Sequence, residues 1–474
     1  MTIGIHALSS ALGCLMLGVA VCSAQEAPPP AGPAPVPSEE PAAGTARTTA
    51  PPLSGGQVLT PGGEGESQSY VLPSFQWTVF ANSNPQSTAA GASSALQNTF
   101  VGNLTLQRTK RNSQLNLDYA GGGLLYSGGE NQAANIPGPS SGMFHHLGIT
   151  QSVRGRRWGL TLSDELSYLP ESPYGFSGYG GLTSFGQGLG GGYLGSAPVL
   201  NPSVEPGQSV LTRRSRRVGN VFMGEVAYIA GPRSTITATG VYGNLHFLDP
   251  GFFDSAYWKF MTGYNYAVSR RDTLSISYSH TEFNFDAANR DISNHDFMFT
   301  YGRKLTGRLS LQLSAGPLIS EIHRDPGESE TRYLVNTYDA IKYRLERGRV
   351  QASFSRFATS GSGVITGAQT SMASFLVGHE LASKFFGSFH ASYAFNEPLQ
   401  REGLTGARPE YKTWRAGTDI SRELSPRMSI YVAYFLQRQE STVPLCFDAS
   451  CGNIILRHVV GAGFNWHGRP IRLD

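Results

Sequence analysis

From Tyr70 to the end of the chain, segments of about ten residues alternate apolar and polar side chains, and their connections are alternately short and long. Period-two alternation marks a strand with one face in an apolar environment and the other in water. Leu274, Ile276 and Tyr278 are interleaved with Thr273, Ser275, Ser277 and Ser279; Leu309, Leu311 and Leu313 are interleaved with Ser310, Gln312 and Ser314. Phe297, Phe299 and Tyr301 stand against Asp296, Met298 and Thr300. The short connections include Thr109–Asn112, Arg154–Arg156, Gly231–Arg233, Ser269–Asp272, Lys304–Gly307, Glu346–Gly348 and Ala382–Lys384. Long ones include the Gly-rich stretch from Pro170 to Arg216 and the segment from Asn396 to Tyr411. A transmembrane barrel has short periplasmic turns and longer extracellular loops, whereas a sandwich or propeller has no reason for that rhythm.

The pattern predicts strands beginning near Phe75, Asn98, Ser113, Phe144, Arg157, Gly219, Ser234, Ala256, Thr273, His295, Arg308, Arg332, Arg349, Ser371, Phe385, Lys412, Met428 and Ile454. The fold class is therefore all-β: one transmembrane antiparallel up-and-down barrel of about 18 strands, an even number as single-chain barrels require. Leu274, Ile276, Tyr278, Leu309, Leu311 and Leu313 are expected to face lipid, and Ser275, Ser277, Ser310 and Gln312 the lumen. The first and last strands must pair, because an open edge cannot persist in hydrocarbon. Trp158, Trp258, Tyr266, Tyr343, Tyr434 and Trp466 share the outward phase and suit the interfacial girdles.

Composition agrees with this reading. Of 474 residues only 15% are charged, while 57 are Gly and 21 Tyr. The mean hydropathy of -0.21 resembles a soluble protein, but alternating strands average out their apolar face. No segment reaches the roughly 20 apolar residues of a transmembrane helix. The net charge of +3 is too small to indicate nucleic acid as a partner.

Four regions follow. Residues 1–24 read as a secretory signal, with an apolar stretch from Ala7 to Val21 and Cys22-Ser23-Ala24 before the cut. Residues 25–69 are rich in Pro, Ala and Gly and are expected to form a disordered periplasmic arm, a spacer or a contact for peptidoglycan or a periplasmic partner. Residues 70–467 form the barrel, and 468–474 a short periplasmic tail. Cys446 and Cys451 are expected to form a disulfide in the last extracellular loop, as two close cysteines of an exported chain commonly do.

In the last strand His458, Val460, Ala462, Phe464 and Trp466 lie on one face. Gly461, followed by Phe464 and Trp466, resembles the terminal-strand signal of bacterial outer-membrane barrels. The turn Ser421 to Arg427 is echoed by Arg303 to Arg308. On these residues the stretch from Phe75 to Trp466 resembles porin-like bacterial outer-membrane β-barrel proteins. The resemblance implies the cell outer membrane, contact with its lipid, and delivery to the barrel-assembly machinery through the last strand.

No catalytic constellation emerges, and no cofactor is implied. The Gly190–Gly195 match to a dinucleotide fingerprint lies in a long Gly-rich loop, without the strand and helix that hold a pyrophosphate. His145 and His146 point to opposite faces, and His280, His379 and His390 are scattered. By phase Lys259, Lys342, Arg344, Arg415, Glu225, Asp296 and Asp419 point inward. Such charges either pair and fill a lumen or set a field that selects solutes. A barrel of this size can leave an aqueous channel. The leading expectation is thus a non-enzymatic conduit for passive solute diffusion or polysaccharide export, with the loop from Pro170 to Arg216 either folding inward or forming an external flap. The alternatives are a structural or adhesive surface barrel and an outer-membrane hydrolase.

Overall fold

The computed structural model describes residues 53–54, 69–85, 94–129, 141–170, 210, 215–286, 290–324, 328–361, 363–399, 410–442 and 453–473. The strands are β1 (Tyr70–Asn82), β2 (Ala95–Lys110), β3 (Ser113–Gly128), β4 (Gly142–Arg154), β5 (Trp158–Leu169), β6 (Arg217–Gly231), β7 (Ser234–Phe247), β8 (Ser255–Ala267), β9 (Asp272–Phe285) and β10 (Arg290–Lys304). They continue as β11 (Leu309–Arg324), β12 (Glu328–Leu345), β13 (Gly348–Thr359), β14 (Ala368–Ala382), β15 (Phe385–Pro398), β16 (Tyr411–Ser425), β17 (Met428–Ser441), β18 (Ile454–His467) and β19 (Ile471–Arg472). Each of the first eighteen pairs antiparallel with its neighbours in sequence, and β1 closes the ring on β18 with Phe75 opposite Trp466 and Trp77 opposite Phe464. The two-residue β19 returns to Tyr70 and Val71, lengthening the seam at its base. Closure is what hydrocarbon demands, since a ring leaves no open edge of unpaired backbone donors and acceptors.

Side chains sort as the alternation requires. Leu274, Ile276 and Leu313 are large apolar residues exposed on the outer face, while Ser275 between them is buried in the lumen. Trp158, Trp258, Tyr266, Tyr343, Tyr434 and Trp466 are all exposed outward. A closed ring with an apolar exterior and aromatic rims is a membrane-spanning barrel, an architecture of the bacterial outer membrane. Its eighteen long strands put the start of β1 and the end of β18 at the short-turn end, which is the periplasmic end.

Carboxylates interrupt the outer face at Asp339 and Asp164. Asp339 lies where β11 and β12 lose their ladder: pairing stops at Gln312 opposite Ala340 and resumes at Ala315 opposite Thr337. There the Asp339 carboxylate accepts the Ser314 amide N–H at 3.3 Å. Pro317, which has no N–H to donate, stands two residues beyond that break. Asp164 lies between Leu162 and Leu166 and opposite Phe222, all three exposed outward, and accepts the Asn220 side-chain amide at 2.9 Å. A carboxylate at this depth is costly. Asp164→Leu should therefore stabilise the folded barrel, by up to about 2 kcal/mol, as a higher urea midpoint in proteoliposomes. An unchanged or lower midpoint would mean that the Asn220 contact already offsets the cost.

The signal at residues 1–24, most of the arm, and Cys446 and Cys451 lie outside the described residues. One arm segment is described, and it departs from the expected free spacer: Leu53 and Ser54 are seated on the lumen wall, hydrogen-bonded to Asn265 and Thr237. An apolar side chain and three backbone polar groups find partners there that a solvated arm lacks.

Candidate functional site in the barrel lumen

The inward positions of β16, β17 and β18 place Arg415 opposite Gln437 and Gln437 opposite Arg457. This makes a horizontal row of two guanidiniums and an amide, with Ser392 of β15 continuing it. Arg415 and Arg457 are 3% and 1% exposed. The Arg457 Nε donates to Asn82 Oδ1 of β1 at 3.2 Å, across the seam that closes the ring. One row nearer the extracellular end, Thr413 donates to Gln439 at 2.9 Å. Nearer the periplasm on β16 come Gly417 and Asp419, the latter accepting the Ser388 hydroxyl. Gly417 leaves room for the His390 ring, to which a Cβ there would approach within 2.4 Å.

On the facing wall Lys259 of β8 and Asp296 of β10 line one small cavity with Asn294, Asn336, Ser279 and Thr281. Glu225 of β6 is also buried and accepts the Thr239 hydroxyl at 3.3 Å. Of the residues chosen by phase, Lys259, Arg415, Glu225 and Asp419 are therefore buried in the lumen, and Asp296 joins Lys259. Lys342 is only partly covered, and Arg344 is exposed at the periplasmic end of β12, opposite Arg349. Among the described residues, lumen arginines that escaped that choice include Arg457, Arg217, Arg290 and Arg332. Arg457 had a legible signal, since it alternates with the outward His458. Arg217, at the extracellular start of β6, holds its guanidinium 4.8 Å over the Phe247 ring.

Above these walls the described part of the β13–β14 connection, residues 360–361 and 363–367, folds into the extracellular mouth. Gly361, Gly363 and Gly367 all take positive φ, a backbone conformation that other residues rarely adopt. Gly363 lies against Phe247, where a Cβ would sit 2.3 Å from the ring, and its carbonyl accepts the Phe253 N–H at 2.9 Å. Arg290 donates to the Thr366 hydroxyl at 3.3 Å. Ile365 is buried with Val210, Ala368, Tyr411 and Ile455. Leu399 of the β15–β16 connection is pinned beside it, its N–H on Gly367 and its carbonyl taken by Arg332 at 2.6 Å. Val210 belongs to the long Gly-rich connection, so this described part of it lies inside the mouth and not on an external flap. The mouth is thus narrowed by an apolar inset resting on polar walls.

The histidines serve the outer surface as much as the lumen. Tyr119 with His145, Tyr278 with His295 and Tyr434 with His458 form the same diagonal cross-strand pair, hydroxyl to Nδ1 at 2.9, 2.8 and 2.9 Å. Among the described residues no group of three His, Cys, Asp or Glu side chains is placed to hold a metal ion.

No protein-family model and no curated protein matches the chain. Among solved structures the chain is similar to Pseudomonas aeruginosa OccK7 (OpdD), at 13% identity and a TM-score of 0.44, over 85% of this chain and 100% of that one. It is also similar to Acinetobacter baumannii OccAB3, at 10% identity and a TM-score of 0.43, over 84% and 99%. Likenesses this distant transfer no property of those proteins to this chain.

Proposed function

We propose that the barrel is a non-enzymatic channel for passive diffusion of small polar solutes across the outer membrane, with a preference for anions set at the Arg415–Gln437–Arg457 row. The observation that carries the reading is this row, two buried guanidiniums flanking Gln437 on a lumen wall below the narrowed mouth. An anchor for surface loops has no use for desolvated cations in its interior, where burying charge is costly. In a constricted aqueous passage the same cations raise the local concentration of anions and lower their barrier to transit. Guanidinium also offers paired N–H donors matched to carboxylate or phosphate oxygens. Lys259 beside Asp296 on the facing wall completes a transverse field of mixed sign.

The test is the reversal potential of single channels in a potassium chloride gradient. The double variant Arg415→Glu, Arg457→Glu should move selectivity from anions toward cations. An unchanged reversal potential in a barrel that still conducts would take the arginines out of the conducting path.

A further inference from the structure

We propose that the chain carries its own plug: Leu53–Ser54 seats on the lumen wall at the periplasmic mouth and narrows the channel. This rests on the channel reading above and concerns a different end of the lumen. The seat is built from wall residues of β7, β8 and β10. Asn265 is 0% exposed. Its side-chain oxygen accepts both the Leu53 and the Ser54 backbone N–H, at 2.7 and 3.0 Å, and its amide donates to Ser54 Oγ at 2.8 Å. The Ser54 hydroxyl and Thr237 Oγ1 lie 2.9 Å apart, and the Thr237 hydroxyl also reaches the Ser54 carbonyl. Every polar group of Ser54 is thereby matched by a lumen side chain.

The wall is also shaped for this segment. A Cβ on Gly263 would stand 2.2 Å from Ser54 Oγ, and one on Gly302 would stand 2.9 Å from a Leu53 methyl. Glycine inside a strand weakens it and commonly marks a close approach by another chain segment. Here two strands accept that cost at the point where the arm rests. Asn265, Thr237 and Gly302 lie within a few residues of the periplasmic ends of their strands, so the seat faces the compartment from which the arm enters. Ser69 is fixed at the base of β2, its hydroxyl accepting the Thr109 N–H at 3.0 Å. In a ring of this size β1 and β10 are diametrically opposed, across a barrel of roughly 35 Å. The residues between Ser54 and Ser69 can span about 45 Å when extended. Charge favours the same docking. The stretch between Ser54 and Ser69 carries Glu64 and Glu66 and no Lys or Arg, while the periplasmic turns carry Arg111, Arg156, Arg233, Arg271, Arg347 and Arg427.

The experiment compares planar-bilayer conductance of the mature chain with three variants. Deleting residues 25–56 should raise conductance several-fold, and Gly263→Leu, which fills the seat and leaves the arm intact, should do the same. Ser54→Cys with Thr237→Cys, in a background of Cys446→Ser and Cys451→Ser, replaces two hydroxyls in hydrogen-bond contact by thiols. Oxidised, it should hold the low-conductance state, and a reductant should release it. Equal conductance in the mature chain, the deletion and Gly263→Leu would overturn the plug while leaving the channel intact. Folded protein that conducts in no variant would overturn the channel reading, and the plug with it.

Discussion

Ile276→Arg is expected to destabilise the barrel by roughly 2 kcal/mol, because it places a cation in hydrocarbon on the outer face of β9, in the periplasmic half of that strand. Ile276 is exposed outward and pairs with Tyr264 on one side and Phe299 on the other, both also exposed. Both cross-strand neighbours are aromatic, so the guanidinium finds no counter-charge beside it and must reach toward the periplasmic girdle at Tyr266. A protein's whole stability is about 5–15 kcal/mol, so the loss is a large share of it. The matched control is Asn116→Arg on β3. Asn116 faces the lumen between Gln107 and Thr150, where an added cation meets water and polar walls. It should cost less than about 0.5 kcal/mol, the ordinary scale for a solvated site. Urea unfolding in proteoliposomes, read by heat-modifiable gel mobility, separates the two. Equal losses would mean that the facing of one of these strands is reversed.

Gly316→Ala should be at least as damaging, for a steric reason. A Cβ at this position would stand 1.6 Å from the Phe297 carbonyl oxygen and 2.7 Å from its carbon. Those are backbone atoms, which cannot swing aside as a side chain would. The strands must separate locally, beside the point where Pro317 already removes a donor from the ladder. Each backbone group so exposed to hydrocarbon costs several kcal/mol. Gly240→Ala provides the contrast, since nothing lies within 4 Å of its Cβ position. That change should be neutral or should stabilise by up to about 1 kcal/mol, through lower entropy of the unfolded chain. The yield of folded, heat-modifiable protein in the membrane fraction reports both. Normal yield of Gly316→Ala would show that β10 and β11 are not in such close contact.

The barrel was legible because its determinants are local. Each strand announces itself by an alternation that a single pass along the chain detects, and most expected starts fall within a few residues of the observed ones: Ser113, Ser234, Phe385, Met428 and Ile454 coincide. Closure followed from the solvent, not from any one residue. The inward phase of Arg415, Lys259 and Glu225 was equally local. What could not be read was which distant segments enter the lumen. Asn265 and Ser54 are 211 positions apart, and no periodicity links them. The same holds for the constriction. The long Gly-rich connection drew attention by its length, yet residues 360–361 and 363–367 of a shorter connection form the described core of the narrowing. Its signal was small: Val364 and Ile365, two apolar residues set among glycines in a loop that water alone would not favour. The lipid-facing Asp164 and Asp339 also break the alternation, and their partners, Asn220 and the Ser314 N–H, are fixed only once strands are in register.

Osmotic swelling tests most directly whether the lumen is a passage for small polar solutes. Proteoliposomes containing the protein without residues 25–56 are placed in an isosmotic solution of a monosaccharide or a small organic anion. Swelling is expected at a rate that falls steeply with solute size and is faster for the anion than for a cation of equal size. Folded protein that admits none of these solutes would contradict such a passage.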